Sequence, residues 1–126
     1  MSEADRNIFP VSLPFFPSFV SAGLPGEFDE EIEPRLDLRG LLVKHPPATF
    51  LVRAANNLMV QFGILKNDIL VIDRSLTPKK SSLVIAFVGS QFVVRPFRNQ
   101  FAPDQIWGVV TSCVRKLPGC PDITLL

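Results

Sequence analysis

Residues 52–73, VRAANNLMVQFGILKNDILVID, have the layout of a catalytic site. An apolar strand leads into a short polar elbow, and a turn then leads into a second apolar strand that ends in Asp73. An elbow of this kind normally presents a nucleophile, because a hydroxyl or thiol on a sharp turn is accessible to a substrate carbonyl. The elbow 56–59, NNLM, contains no Ser, Thr or Cys. The elbow therefore contains no residue that could act as the nucleophile.

Nucleophilic catalysis elsewhere in the chain has few candidates. The single histidine, His45, is followed by two prolines, and a lone His beside a turn is typical of a structural role. Ser-His-Asp and Cys-His catalysis both need an imidazole within reach of the nucleophile. A Ser-Lys pair remains, because a buried Lys can lose its proton. Ser81 and Ser82 lie beside Lys79 and Lys80, but at a predicted turn edge that would desolvate the lysine only weakly.

Phosphate, metal and membrane roles have no support in the sequence. Neither GxxxxGK[ST] nor GxGxxG occurs. Cys113 and Cys120 lack CxxC spacing and companion histidines, which argues against zinc; two idle thiols and a short loop disulfide both fit them. The longest apolar run, 83–88, is far too short to span a bilayer. We expect no cofactor, no metal and no membrane partner.

Charge is divided unequally along the chain. Residues 1–37 hold eight of the twelve acidic residues, whereas from Arg39 onward eleven basic residues accompany four acidic ones. An acidic arm that docks on its own basic body, and a basic surface that meets nucleic acid or an acidic protein, both fit this asymmetry. The stretch 92–101, FVVRPFRNQF, interleaves Phe with Arg95 and Arg98, as surfaces that bind single-stranded nucleic acid do. Alternating apolar residues are also typical of a strand that packs on a core.

Residues 1–34 are predicted to form an extended, Pro-rich, acidic N-terminal arm. They contain five prolines and show no helical or alternating period. Segment 8–23, IFPVSLPFFPSFVSAG, ends in small residues that suit signal-peptide cleavage. Acidic residues before it, Glu3 and Asp5, and the prolines within it argue against a secretory leader.

Residues 35–126 are predicted to form one β-domain. Asp37 is predicted to cap a short helix that contains Leu38, Leu41 and Leu42 on one face. Strands rich in Val, Ile and Phe are predicted at 49–54, 69–73, 83–88, 92–97 and 106–115. The third and fourth strands are predicted to form a hairpin across residues 89–91. The predicted fold class is mostly β: a compact, curled, barrel-like β-domain with an extended N-terminal arm and one short helix.

The order of these features resembles the UmuD/LexA family of self-cleaving proteins, from about residue 15 to residue 115. The arm contains Ala22-Gly23, and the body then contains EPRLDLRGLLVKHPPATFLVRA, NNLM, ILKNDILVID, SSLVIAFVGSQFVVRPF and IWGVVTSCVRKL. The strongest similarity lies in 36–54 and 68–73. The UmuD branch fits better than the LexA branch, because the 21 residues before Ala22 are too few and too rich in Pro for a helix-turn-helix domain. We therefore expect no direct sequence-specific DNA binding.

The resemblance implies a function and a set of partners. In that family a Ser-Lys dyad cuts the arm at an Ala-Gly or Cys-Gly bond, after a RecA filament on single-stranded DNA promotes the cut. By position, Ala22-Gly23 is similar to that cleavage site. The trimmed dimer then serves an error-prone, UmuC-type DNA polymerase in the SOS response. The resemblance therefore implies a cytoplasmic homodimer, or a heterodimer with a UmuD-like chain, with a UmuC-type polymerase and a RecA filament as further partners.

Both dyad positions depart from the family pattern. The family's G-[DN]-S-M elbow is matched by residues 56–59, which puts Leu58 at the position of the nucleophile, and an isobutyl group cannot attack a carbonyl. The family's lysine is matched by Arg95, whose guanidinium stays protonated and cannot act as a base. The eight residues between Phe97 and Ile106 are also fewer than in the strand-bearing segment of the family.

The departures favour a protease-dead UmuD-like protein over an active peptidase. Such a protein would act as an accessory subunit or an antagonist of a translesion polymerase. Three alternatives stay open, one of which is a secreted or DNA-binding small β-domain whose arm resembles the family's only by coincidence. A relocated Ser-Lys site would use the serines and lysines of 79–82, and an intact Ala22-Gly23 bond would make the chain a substrate in trans for the dyad of a competent relative.

Overall fold

The computed structural model of this chain describes residues 12–15, 35–98 and 100–120. The chain forms two compact units, residues 1–42 and residues 43–126. The predicted division between arm and domain after residue 34 stays a prediction, because most of the arm lies outside the described residues. In the part that is described, no helix is both long enough and apolar enough to cross a bilayer.

Two short strands and one helix make up the described part of the first unit. β1 (Ser12–Pro14) pairs antiparallel with β2 (Arg35–Asp37), and α1 (Leu38–Leu42) follows β2 directly. Asp37 caps this helix as predicted, because its Oδ1 accepts a hydrogen bond from the Arg39 backbone N–H at 3.1 Å. The cap satisfies one of the donors that the first helical turn leaves without a partner.

Five antiparallel strands form one sheet in the second unit. They are β3 (Thr49–Arg53), β4 (Ile69–Asp73), β5 (Leu83–Val88), β6 (Gln91–Pro96) and β7 (Ile106–Val114), in the spatial order β3-β4-β7-β5-β6. All five lie where the sequence predicts strands, and the mostly β fold class is confirmed. Over the described residues the sheet is open, with β3 and β6 at its edges, so it does not close into a barrel.

The last strand of the chain occupies the centre of the sheet. β7 pairs with β4 on one side and with β5 on the other. Each pairing contains a register shift, between Val71 and Ile72 in the first and between Ile85 and Ala86 in the second. Bulges of this kind bend a strand and increase its twist. The sheet therefore curls without closing.

The β5–β6 hairpin turns on two residues, Gly89 and Ser90. Gly89 has a φ of +63°, which suits the first central residue of a type II′ turn. The loop is one residue shorter than predicted, because Gln91 pairs with Val88 as the first residue of β6. The hairpin itself is confirmed.

The hydrophobic core lies on one face of the central strands. Its buried members are Ala54, Ile64, Leu70, Ile72 and Ile85, and partly buried residues pack against them. The opposite face is covered as well. Side chains alternate between the two faces of a strand, and the residues that alternate with the core members are also buried, namely Val71, Val84 and Ala86.

Gly108 allows β4 and β7 to approach each other at the centre of the sheet. A Cβ atom at this position would lie 2.5 Å from Cγ2 of Ile72 and 3.2 Å from Cγ of Arg74. Ile72 is fully buried and belongs to the hydrophobic core, so a shift of its side chain displaces its core neighbours. A side chain at position 108 would therefore disturb the core.

We predict that Gly108→Ala lowers the free energy of unfolding by about 1–3 kcal/mol, the usual cost of overpacking a core. Urea denaturation measures this value. Ser112→Ala is the control in the same strand, and it is expected to change the unfolding free energy by less than about 0.5 kcal/mol. A Gly108→Ala variant as stable as the parent would show that the two strands have room to separate.

Candidate functional site

The elbow 56–59 is held in shape by two asparagine side chains. Oδ1 of Asn56 accepts a hydrogen bond from the Leu58 backbone N–H at 3.1 Å, which forms an Asx turn. Oδ1 of Asn57 accepts a hydrogen bond from the Lys66 backbone N–H at 2.8 Å. This turn leaves Leu58 67% exposed. The elbow thus presents to solvent Leu58, the residue that the sequence predicts at the nucleophile position.

The connection behind the elbow folds back on the end of β3. A 3₁₀ turn, Val60–Phe62, ends at Gly63, which has a φ of +85°. Asn67 also has a positive φ, 74°, as Asn tolerates better than most residues. Its backbone N–H donates to the Ala54 carbonyl at 2.8 Å, and the Ala54 N–H donates to the Asp68 carbonyl at 2.8 Å. The two ends of the connection are therefore tied together.

A buried carboxylate fixes this connection to β7. Asp68 is 1% exposed, and Arg115 binds it with two hydrogen bonds, from Nε to Oδ1 at 2.5 Å and from Nη2 to Oδ2 at 2.6 Å. The Leu65 backbone N–H donates to Oδ2 at 2.8 Å, and Arg115 Nη2 also donates to the Gly63 carbonyl at 2.9 Å. Hydrogen bonding by Arg115 lowers the pKa of Asp68 although burial opposes it. The carboxylate therefore stays ionised in the folded chain.

A second buried carboxylate, Asp73, lies at the other end of β4. Its Oδ1 accepts hydrogen bonds from the Ser75 backbone N–H at 2.9 Å and the Ser75 hydroxyl at 2.6 Å. Its Oδ2 lies 2.6 Å from Nδ1 of His45. Hydrogen bonds from Ser75 and from His45 lower the pKa of Asp73. The hydroxyl and the imidazole both bind the carboxylate rather than each other, so the three residues do not form a nucleophile and base.

Leu58 and Arg95 line the same cavity, which has a volume of about 590 Å³. Buried apolar residues such as Leu70 and Ile85 form part of its wall, and residues of both edge strands, β3 and β6, border it. The lining that the structure describes contains no Ser, Thr, Cys, Lys or His. Edge strands present unpaired backbone N–H and C=O groups. The strands that border the cavity are therefore of the kind to which an extended peptide can add by backbone pairing.

Arg95 is exposed on the edge strand β6. Its Nη1 donates a hydrogen bond to the Val94 carbonyl at 2.8 Å, and within the described residues it forms no ion pair. A guanidinium has only donors and keeps its proton in proteins. Arg95 can therefore bind a carbonyl or an anion, but it cannot take a proton from a nucleophile.

The alternative Ser-Lys pair lies in an exposed turn, away from the residues that line the cavity. The Lys79 backbone N–H donates to Oγ of Ser82 at 2.9 Å, and both Lys79 and Lys80 are exposed. An exposed ammonium group keeps its hydration, so this turn lacks the desolvation that a lysine base needs. The predicted cleavage site, Ala22 and Gly23, lies outside the described residues.

An aromatic cluster borders the cavity. The Trp107 ring centroid lies 5.4 Å from that of Phe50 and 5.4 Å from that of Phe92, and the Phe92 and Phe87 centroids are 5.1 Å apart. The Arg74 guanidinium lies 4.5 Å from the Trp107 ring centroid. The four rings come from four different strands, so no single stretch of sequence contains them. Of these four rings, only Phe92 belongs to a stretch that the sequence pattern connected with ligand binding, residues 92–101.

Comparison with known proteins finds similarity over most of the chain. The family model described as Peptidase S24-like matches residues 14–107. Protein MucA of Salmonella typhimurium is 33% identical over 129 residues, covering 86% of this chain and 88% of MucA. Protein SamA of Salmonella typhimurium is 30% identical over 119 residues, covering 82% of this chain and 85% of SamA. The LexA repressor of Sorangium cellulosum is 24% identical over 120 residues, covering 78% of this chain and 52% of that repressor.

We predict that Asp68→Asn lowers the free energy of unfolding at neutral pH by about 1–3 kcal/mol, because the amide cannot replace a buried carboxylate that accepts three hydrogen bonds. Urea denaturation measures the change. Asp104→Asn is the matched control, because Asp104 is exposed and forms no ion pair within the described residues.

The same variant tests how the stability of the folded chain depends on pH. A carboxylate whose pKa is lowered by folding stabilises the folded chain above its ordinary pKa, near 3.9, and that stability is lost as the pH falls toward the lowered value. Below about pH 4 the parent is therefore expected to lose stability more steeply than Asp68→Asn. Identical pH profiles would contradict the lowered pKa of Asp68.

Proposed function

The chain belongs to the Peptidase S24-like family as a UmuD/LexA-like member, and from that premise we propose that it is a UmuD-like SOS protein that does not cut peptide bonds. The observation that carries the proposal is the pair of residues that share the cavity, Leu58 in the elbow and Arg95 on β6. By motif they stand at the family's nucleophile and lysine positions.

The chemistry of a Ser-Lys dyad has no equivalent in this pair. The serine hydroxyl must attack a carbonyl carbon while a neutral amine accepts its proton. Leu58 has neither a lone pair nor a proton to transfer. Arg95 stays protonated, so it has no free lone pair to accept one. The reaction lacks both its nucleophile and its base.

The part of the site that remains can bind peptide. The cavity is largely apolar and lies between two strand edges, so an extended segment could pair with either edge and bury its apolar side chains. We propose that the segment is an arm, from a second copy or from a UmuD-like relative, so that the chain works as a homodimer or a heterodimer in the cytoplasm. In this role it acts as an accessory subunit or an antagonist of a UmuC-type polymerase.

We predict that the purified full-length protein stays intact when it is incubated with RecA filaments on single-stranded DNA. The Leu58→Ser/Arg95→Lys double variant is expected to produce a fragment that begins at Gly23, because it restores both nucleophile and base. The two single variants are the controls and are expected to remain uncut. Mass spectrometry identifies the fragment.

Two results would contradict this proposal. A fragment that begins at Gly23 in the unmodified protein would show that the chain is an active peptidase. An uncut double variant that retains the parent's fold would argue against Leu58 and Arg95 as the dyad positions.

We also predict that a catalytically competent UmuD-like relative cuts this chain in trans between Ala22 and Gly23. The reason is that the bond matches the family's cleavage site although the chain's own dyad is replaced. Gly23→Glu is the control, since a bulky charged residue at the cut bond should block cleavage. No cut of this chain, under conditions in which the relative cuts itself, would overturn the prediction.

A further inference from the structure

The surface of the second unit is strongly cationic. Between residues 43 and 120 all ten Lys and Arg residues are exposed: Lys44, Arg53, Lys66, Arg74, Lys79, Lys80, Arg95, Arg98, Arg115 and Lys116. The same range contains three carboxylates. Asp68 and Asp73 are 1% and 4% exposed and are engaged in the contacts described above, which leaves Asp104 as the exposed one. With Arg115 set aside because it pairs with Asp68, nine exposed cations accompany one exposed carboxylate.

Three exposed phenylalanines and the half-buried Trp107 form a continuous aromatic patch on this unit. We call Phe50, Phe87, Phe92 and Trp107 the aromatic platform. Phe92 is 57% exposed, Phe87 44% and Phe50 43%, and Trp107 joins them through its contacts with two of the rings. Contiguous apolar surface of this kind marks an interaction site.

Three arginines adjoin the platform. Arg74 lies over the Trp107 ring, and Arg53 and Arg95 line the cavity that Phe92 and Trp107 also line. Within the described residues none of the three forms an ion pair. Each one donates a hydrogen bond to a backbone carbonyl, and the other donors of each guanidinium are left for a ligand.

Exposed rings beside such arginines match one class of ligand. Bases stack on aromatic side chains, and phosphates pair with guanidinium groups. We propose that the aromatic platform and these three arginines bind single-stranded DNA without sequence preference. An acidic peptide without aromatic residues would satisfy the charges but offers no rings to stack, and a duplex keeps its base faces stacked inside. Only the choice of DNA over RNA rests on the proposed function, in which the chain acts with a DNA polymerase.

The single tryptophan of the chain makes the proposal directly measurable. A dye-labelled oligo(dT) of about 20 nucleotides, long enough for one binding site, is titrated with the full-length protein at about 50 mM salt and again at about 200 mM. We expect the dye anisotropy to rise and the Trp107 fluorescence to be quenched, with much weaker binding at the higher salt concentration.

Variants separate stacking from general charge attraction. Phe92→Ala is expected to weaken binding by about fivefold or more, the usual effect of removing one stacking ring. Val88→Ala is its control, because Val88 is an apolar residue of the same hairpin, 45% exposed. Arg53→Ala is expected to weaken binding more than the charge-matched control Lys116→Ala. Circular dichroism confirms that each variant is folded, and the arginine variants test the proposal independently if Phe92→Ala does not fold.

Several outcomes would overturn the proposal. Base stacking would be excluded if oligo(dT) did not bind, if Trp107 fluorescence were not quenched, or if a duplex of the same length bound with equal affinity. Equal effects of Arg53→Ala and Lys116→Ala would reduce the interaction to general charge. Tighter binding of poly-glutamate or of oligo(U) would assign the surface to an acidic peptide or to RNA. None of these readouts depends on cleavage at Gly23, so this proposal and the proposed function can fail separately.

Discussion

The buried carboxylate of Asp68 attaches the elbow to the sheet. It binds Arg115 at the end of β7 and the backbone N–H of Leu65, and Arg115 also reaches the Gly63 carbonyl. A buried charge without partners is strongly destabilising, so the ionised group is compatible with the folded chain only while the turn and β7 stay in place. The position of Leu58, and with it one wall of the cavity, depends on this contact.

The frame of the elbow is independent of the residue that it presents. The side chains of Asn56, Asn57 and Asp68 hold the turn by accepting hydrogen bonds from backbone N–H groups. Position 58 takes part in one of these bonds, and only through its backbone N–H. The local geometry therefore does not require a serine. The framework of the elbow is therefore compatible with a leucine at position 58, the position that we predict to correspond to the family's nucleophile.

Burial of two carboxylates also contributes to the positive charge of the surface. Asp68 and Asp73 are used inside the sheet, where hydrogen bonds hold their pKa values below the ordinary range. The lysines and arginines remain outside, because long cationic side chains are rarely buried. Because eight of the twelve acidic residues also lie within residues 1–37, a nearly neutral sequence produces a second unit with a cationic surface, and the aromatic platform adds apolar area to it.

Local patterns in the sequence determined the strands, the β5–β6 hairpin and the Asp37 cap, because alternation, a glycine turn and an N-cap act over a few residues. The family resemblance is the basis for assigning Leu58 and Arg95 to the predicted dyad positions. Tertiary structure alone decided that β7 lies at the centre of the sheet, that the sheet stays open, and that Asp68 meets Arg115 across 47 positions of sequence. It also decided that rings from four strands form one platform. These features arise from pairing between distant strands, which depends on the burial of the whole sheet rather than on any local segment.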